Sequence, residues 1–146
     1  MNLRKKASTT SKKQLKTKKK ASLSKVEIIE RGWAGHFIGA QQCEFKRNTL
    51  LQYNKKAIVV STVGMYRPLN SIDLVQTIGF NRYYETMAFE AIYNAPYWDG
   101  NIHKEITCFT SPCSIDSHNI DDDLNANVMH ETIVKEISEK LLSKVI

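Results

Sequence analysis

Signatures of catalysis and of metal binding are missing from this 146-residue sequence. It contains no P-loop and no G-x-G-x-x-G, so any grip on a phosphate has to come from side chains and strand ends. Its histidines, His36, His103, His118 and His130, offer no pair at metal-ligand spacing on one element, which argues against a zinc site. Cysteine is scarce: Cys43, Cys108 and Cys113 are an odd number with no C-x-x-C pair. That excludes a disulfide framework and indicates buried thiols in a reducing compartment. No apolar run reaches the roughly 18 residues of a membrane-spanning helix, and no h-region of about 7 to 15 residues is present. Neither secretion nor a membrane partner is expected.

Acid is missing from one region altogether. Met1 to Lys25 holds ten Lys or Arg, no Asp or Glu, and only Leu3, Leu15 and Leu23 as large apolar residues after the first Met. Such a stretch cannot bury enough surface to offset its ordering entropy, so residues 1–25 read as a disordered basic tail. The alternatives are an over-extended gene start or a weak, non-specific contact with nucleic acid through counterion release. Without the tail, 11 cations face 15 acids, and the net +6 of the whole chain becomes −4 for residues 26–146, which read as a single domain.

That body alternates like a sheet protein. Val26 to Arg31 reads as a first strand, and Gly32 and Gly35 around Trp33 suit a bend where the backbone comes close to something. His36-Phe37-Ile38 reads as strand, 39–42 as a hairpin loop, and Cys43 to Tyr53 as the next strand. Period two puts Cys43, Phe45, Arg47, Thr49 and Leu51 on one face and Glu44, Lys46, Asn48 and Leu50 on the other. Of the neighbouring cations Lys46 and Arg47, Arg47 is the inward one on this reading. Ala57 to Val63, apolar on both faces and ended by Gly64, reads as the central strand. Leu74 to Ile78, Arg82 to Tyr93 and Ile102 to Phe109 follow, the last two as a hairpin with a long aromatic tip over 94–101.

A helix is expected over about 125–142, because Met129, Ile133, Ile137 and Leu141 recur every four residues. Asp121, Asp122 and Asp123 complement its positive N-terminus; the run lacks the Gly and Glu of an EF-hand loop. Glu131 with Lys135 and Glu136 with Lys140 form i,i+4 pairs on the wet side, and His130 falls just outside the apolar stripe, as a partly exposed flank residue. The fold class is therefore α+β: an antiparallel sheet of five to six strands with one C-terminal amphipathic helix on one face. The other face then has to be polar or covered by another subunit, and a homo-oligomer, most simply a dimer, is expected.

Recognition chemistry concentrates in Trp33, His36, Arg47, Asn48, Arg82 and Tyr84, with Asn81 and Thr86 nearby. Guanidinium forks, aromatic planes and amides are what an anionic, base-bearing small ligand requires. The structural alternative is that Arg47 or Arg82 pairs with Glu85 and the tyrosines are core. A base and nucleophile, such as His36 with Ser61 or Cys43, can be imagined, but no spacing supports it.

Glu30 to Ile38, Cys43 to Leu50, Ile58 to Gly64 and Ile78 to Phe89 together resemble a family of small phage and prophage proteins. The chain is similar to the Thoeris anti-defence proteins, which sequester cyclic ADP-ribose signals, over about residues 26–142. The resemblance implies an oligomeric, non-enzymatic protein in the host cytoplasm that needs no cofactor and holds a small anionic nucleotide in pockets shared with a neighbouring subunit. Where the family has Arg-Arg this chain has Lys46-Arg47, so Arg47 is the residue carried over. The alternative function is a non-enzymatic inhibitor that binds a host protein or nucleic acid.

Overall fold

A computed structural model of the chain describes residues 25–33, 35–71, 74–79, 81–107, 109–116 and 121–146. The basic tail expected over residues 1–25 lies, apart from Lys25, outside them, as do Cys108 and His118. Among the described residues one antiparallel sheet forms from β1 (Glu27–Glu30), β2 (Cys43–Tyr53), β3 (Lys56–Tyr66), β4 (Tyr84–Asn94), β5 (Tyr97–Ile106) and β6 (Ser114–Ile115). The strand order is β1-β2-β3-β4-β5, and β6 pairs with Tyr84 and Glu85 on the edge of β4 that β5 occupies farther along. One helix, α1 (Asp122–Leu142), follows. The chain is α+β, an antiparallel sheet with a C-terminal helix.

β3 is central because its residues are apolar or small on both faces, and every one from Ile58 to Gly64 is buried. On the helix face Leu51, Ile58, Val60, Tyr84 and Ala88 pack against Ala126, Met129, Ile133, Val134, Ile137 and Leu141. Burying such a stripe is the main force that holds a helix of this length on a sheet.

His130 is fully buried in that interface, not on the flank. Its Nε2 lies 2.7 Å from Thr49 Oγ1 and its Nδ1 lies 2.7 Å from Thr62 Oγ1. Thr49 donates its hydroxyl proton to Glu30 Oε1 at 2.7 Å, so it accepts from His130, and the imidazole carries its proton on Nε2. Nδ1 then accepts from Thr62, whose oxygen lies 2.6 Å from Thr86 Oγ1. Helical spacing alone placed His130 beside the apolar stripe; a row of threonines on three strands draws it inside, since a buried polar group needs partners.

Several boundaries differ from the sequence reading, each for a local reason. The expected strand at His36-Phe37-Ile38 is a turn, because Gly35 at φ +123° redirects the chain, and 40–42 form a 3-10 helix in place of a hairpin loop. β3 continues through Gly64 to Tyr66; an added Cβ at Gly64 would lie 2.2 Å from the Tyr84 ring, so the glycine admits that ring rather than ending the strand. Leu74 to Ile78 supplies only isolated bridges, Tyr66 to Gln76 and Ile78 to Arg82. The β4–β5 hairpin has a two-residue loop, Ala95-Pro96, with that peptide cis, and Tyr97 to Gly100 are strand. The extra residues sit farther on: the pairs Phe89–Glu105 and Ala91–Gly100 leave Asn101 to Lys104 opposite Glu90 alone, a bulge that blunts this edge. Glu131 and Glu136 are engaged by Arg47 and by the Thr110 and Ser111 amides respectively, a use of both carboxylates other than the expected i,i+4 pairing.

Burial, and then the charge of Arg47, push the His130 pKa from 6.5 down to about 4. A neutral histidine in the fold that protonates once unfolded stabilises the protein fully above pH 6.5 and loses that contribution as pH falls toward 4. Urea titrations at pH 7.5 and pH 4.5 are expected to differ by roughly 2 to 3 kcal/mol from this group. His130→Gln should lower stability overall and flatten the slope between those values.

Candidate functional site

The sheet face opposite α1 is covered from within the chain. After β1 the backbone leaves the ladder at Arg31, whose N–H donates to the Asn48 carbonyl at 2.7 Å, and crosses the sheet as a strap before β2 begins. Gly35 brings this strap against β3: an added Cβ there would lie 2.5 Å from Val63 Cγ1 and 3.4 Å from Ser61 Oγ. Gly100 does the same for Trp33, whose indole would come within 3.2 Å of a Cβ at that position, beside the Phe89 ring. Farther along, Phe37 packs edge-on against Tyr66 at 5.0 Å, and Ala40, Cys43, Val63 and Ile78 form a second small core. Burial pushes the Cys43 thiol up to about 11, which leaves it protonated and a poor nucleophile.

His36 pins the strap at its centre. Its backbone N–H donates to Ser61 Oγ at 3.3 Å, and Ser61 Oγ lies 2.9 Å from its Nδ1. A hydroxyl that accepts the amide proton donates its own, so Nδ1 is the acceptor and Nε2 carries the ring proton. That nitrogen faces Glu85 Oε2 at 3.5 Å, the long limit of such a contact, and Glu85 Oε1 accepts from Arg82 Nη1. The contact with His36, and then the Arg82 charge, hold the Glu85 carboxyl below the usual range in spite of burial. The Ser–His–Glu order is that of a nucleophilic relay. Ser61 is nevertheless fully buried, so in this conformation the relay fastens the strap and presents no nucleophile to solvent.

This chain has one loose link, since His36 Nε2 is buried without a hydrogen bond of ordinary length, and beside it stand further orphans. Asn48, 1% exposed, has no hydrogen-bond partner at either amide atom, and Arg31 Nη1 is buried without one. Asn48 pairs across the ladder with Ser61, and Arg31 follows Glu30, so strand alternation puts Asn48, Ser61 and Arg31 on the same face. Buried polar groups left unpaired in this way typically each cost about 1–3 kcal/mol. They are the strongest mark of a missing partner on this face.

The six sequence candidates separate by face. Trp33, His36, Asn48 and Arg82 belong to the strap face. Arg47 and Tyr84 lie on the helix face and are structural there. Arg47 Nη2 is 2.9 Å from Glu30 Oε1 and also pairs with Glu131; against burial, these two carboxylates raise its pKa. Tyr84, 1% exposed, donates its hydroxyl to Asp123, and burial and that carboxylate push its pKa up. Arg82 is committed to Glu85, the pairing the structural alternative foresaw for it. Arg31 was not among the candidates, although its place one residue after a strand and before a glycine gave the signal. A separate cleft of about 530 Å³ opens on the helix face near Lys55, Lys56, Ile58, Glu90 and Glu105 and contains none of the six. The described residues hold no group of three or more His, Cys, Asp or Glu placed to bind a metal ion, and no helix among them is long and apolar enough to cross a membrane.

Compared with known protein families, curated proteins and solved structures, the chain matches none.

Gly35→Ala is expected to destabilise the protein by about 3 kcal/mol, from the positive φ and the Val63 overlap. Gly32→Ala, which meets nothing within 4 Å, should stay within about 1 kcal/mol of the parent. Urea midpoints of the two variants check the contrast.

Proposed function

We propose that this protein is a non-enzymatic binding protein that takes up a small anionic nucleotide, of the cyclic ADP-ribose class, and withholds it from signalling in a bacterial host. The observation that carries the binding reading is the fully buried Asn48 amide without a partner, beside the orphaned guanidinium atom of Arg31. Trp33, on the same strap, supplies an aromatic plane, and Gly32, exposed between the two, borders open space through which a ligand could arrive. A guanidinium, an amide and an indole are the groups that grip an anion, read a polar edge and stack on a base. The anti-defence role rests on the resemblance to phage and prophage proteins. The homo-oligomer this reading includes would form along β1, whose four residues are exposed, Ile28 and Ile29 among them.

Calorimetric titration of the full chain with cyclic ADP-ribose isomers and cyclic oligonucleotides tests the reading. Binding should persist when residues 1–25 are deleted, whereas a nucleic-acid inhibitor acting through its tail would lose its target. Arg47→Ala should leave ligand affinity unchanged and lower stability by at most about 1 kcal/mol, since its ion pairs are partly exposed. Trp33→Ala should weaken binding by roughly tenfold, about one stacking contact. No heat with any of these nucleotides, at protein concentrations far above micromolar, would sink the proposal.

A further inference from the structure

The unpaired atoms on the strap face constrain the ligand further than charge does. Arg31 Nη1, Asn48 Nδ2 and His36 Nε2, which meets Glu85 only at 3.5 Å, are donors, and Asn48 Oδ1 is an acceptor. The neighbouring polar atom, Ser61 Oγ, is already used: it accepts from the His36 amide and donates to Nδ1. Anionic oxygens satisfy donors of this kind. Facing Asn48 Oδ1 such an oxygen would meet a second acceptor and be repelled, and Oδ1 would stay buried and unpaired. The orphan set is complete only when a donor stands next to the anionic oxygen on the same ligand.

We infer that the strap-face site takes a phosphate ester with a hydroxyl vicinal to the phosphate, as in a ribose 2′- or 3′-phosphate, and that Asn48 reads that hydroxyl while Arg31 holds the phosphate. The inference rests on the nucleotide-binding part of the reading above and moves it away from cyclic ADP-ribose itself, whose diphosphate sits on 5′ carbons with no vicinal hydroxyl, to ribose 2′- or 3′-phosphates. Asn48, with its buried amide, is the residue that sets specificity; Arg31 contributes charge.

Adenosine 3′-monophosphate and 2′-deoxyadenosine 3′-monophosphate differ in that one hydroxyl, and calorimetry of the full chain with each reads its contribution. The ribonucleotide is expected to bind about tenfold or more tightly than the deoxynucleotide, the effect of leaving one buried acceptor unpaired. Asn48→Leu, with the same branching and no polar atom, should fold and erase the difference between the two. Asn48→Asp, which keeps the shape but places a carboxylate beside the phosphate, should weaken both ligands. Equal binding of the two nucleotides by the parent protein would overturn this inference and leave the nucleotide reading standing. Binding of neither would also overturn this inference, the nucleotide reading itself being decided by the titrations with cyclic nucleotides, and a discrimination that survives in Asn48→Leu would assign it to another residue and refute the role of Asn48.

Discussion

Two adjacent hydroxyls on the central strand, Ser61 and Thr62, hold the molecule together from opposite sides. Strand alternation sends them to opposite faces, and each meets a histidine supplied by the layer that covers that face. Thr62 bonds His130 of α1 at 2.7 Å, and Ser61 bonds His36 of the strap at 2.9 Å. In both cases the hydroxyl donates to Nδ1 and the ring proton sits on Nε2, directed toward Thr49 on one side and Glu85 on the other. Apolar burial supplies most of the cohesion of such layers, but it is not directional. These hydrogen bonds fix where each layer sits, because a displacement of either would leave a buried ring nitrogen and a buried hydroxyl unpaired.

The same accounting separates structure from site. On the helix face the polar groups form an unbroken chain, from Thr86 through Thr62, His130 and Thr49 to Glu30 and Arg47. On the strap face the chain from Ser61 through His36 to Glu85 and Arg82 stands next to an amide and a guanidinium atom that nothing satisfies. A fold selected for stability alone would place an apolar residue at position 48, where one sheet face is already buried. On the proposed reading, the asparagine there serves a partner that arrives from outside the chain.

Much of the fold was legible in the sequence, because β2, β3 and α1 have strong periodicity, although the end of β3 beyond Gly64 depends on the Tyr84 ring that the glycine admits. Strand parity also separated Arg47 from Asn48 before any coordinates, and the two do stand on opposite faces. The strap was not legible: His36-Phe37-Ile38 has the composition of a strand, and only the approach of Gly35 to Val63 and Ser61 shows that it lies across the sheet instead of in it. His130 misled for a related reason, since helical spacing carries no record of the threonines that the strands bring beneath it. Tyr84 looked like a ligand contact from its neighbours in sequence, yet its hydroxyl is held by Asp123, 39 residues away. Arg31 had only its place between a strand and a glycine to mark it, and the missing bond that gives it significance is visible in the fold alone.

The central claim, that Asn48 is unpaired until a ligand reaches it, is open to direct observation in solution. The side-chain amide of Asn48 gives a resolvable pair of proton signals in a nitrogen-correlated magnetic resonance spectrum, identified by their loss in Asn48→Leu. The account predicts signals without hydrogen-bond character in the free protein that move and become protected from exchange as adenosine 3′-monophosphate is added. Signals that are already protected in the free protein, and that stay in place up to saturating nucleotide, would contradict it.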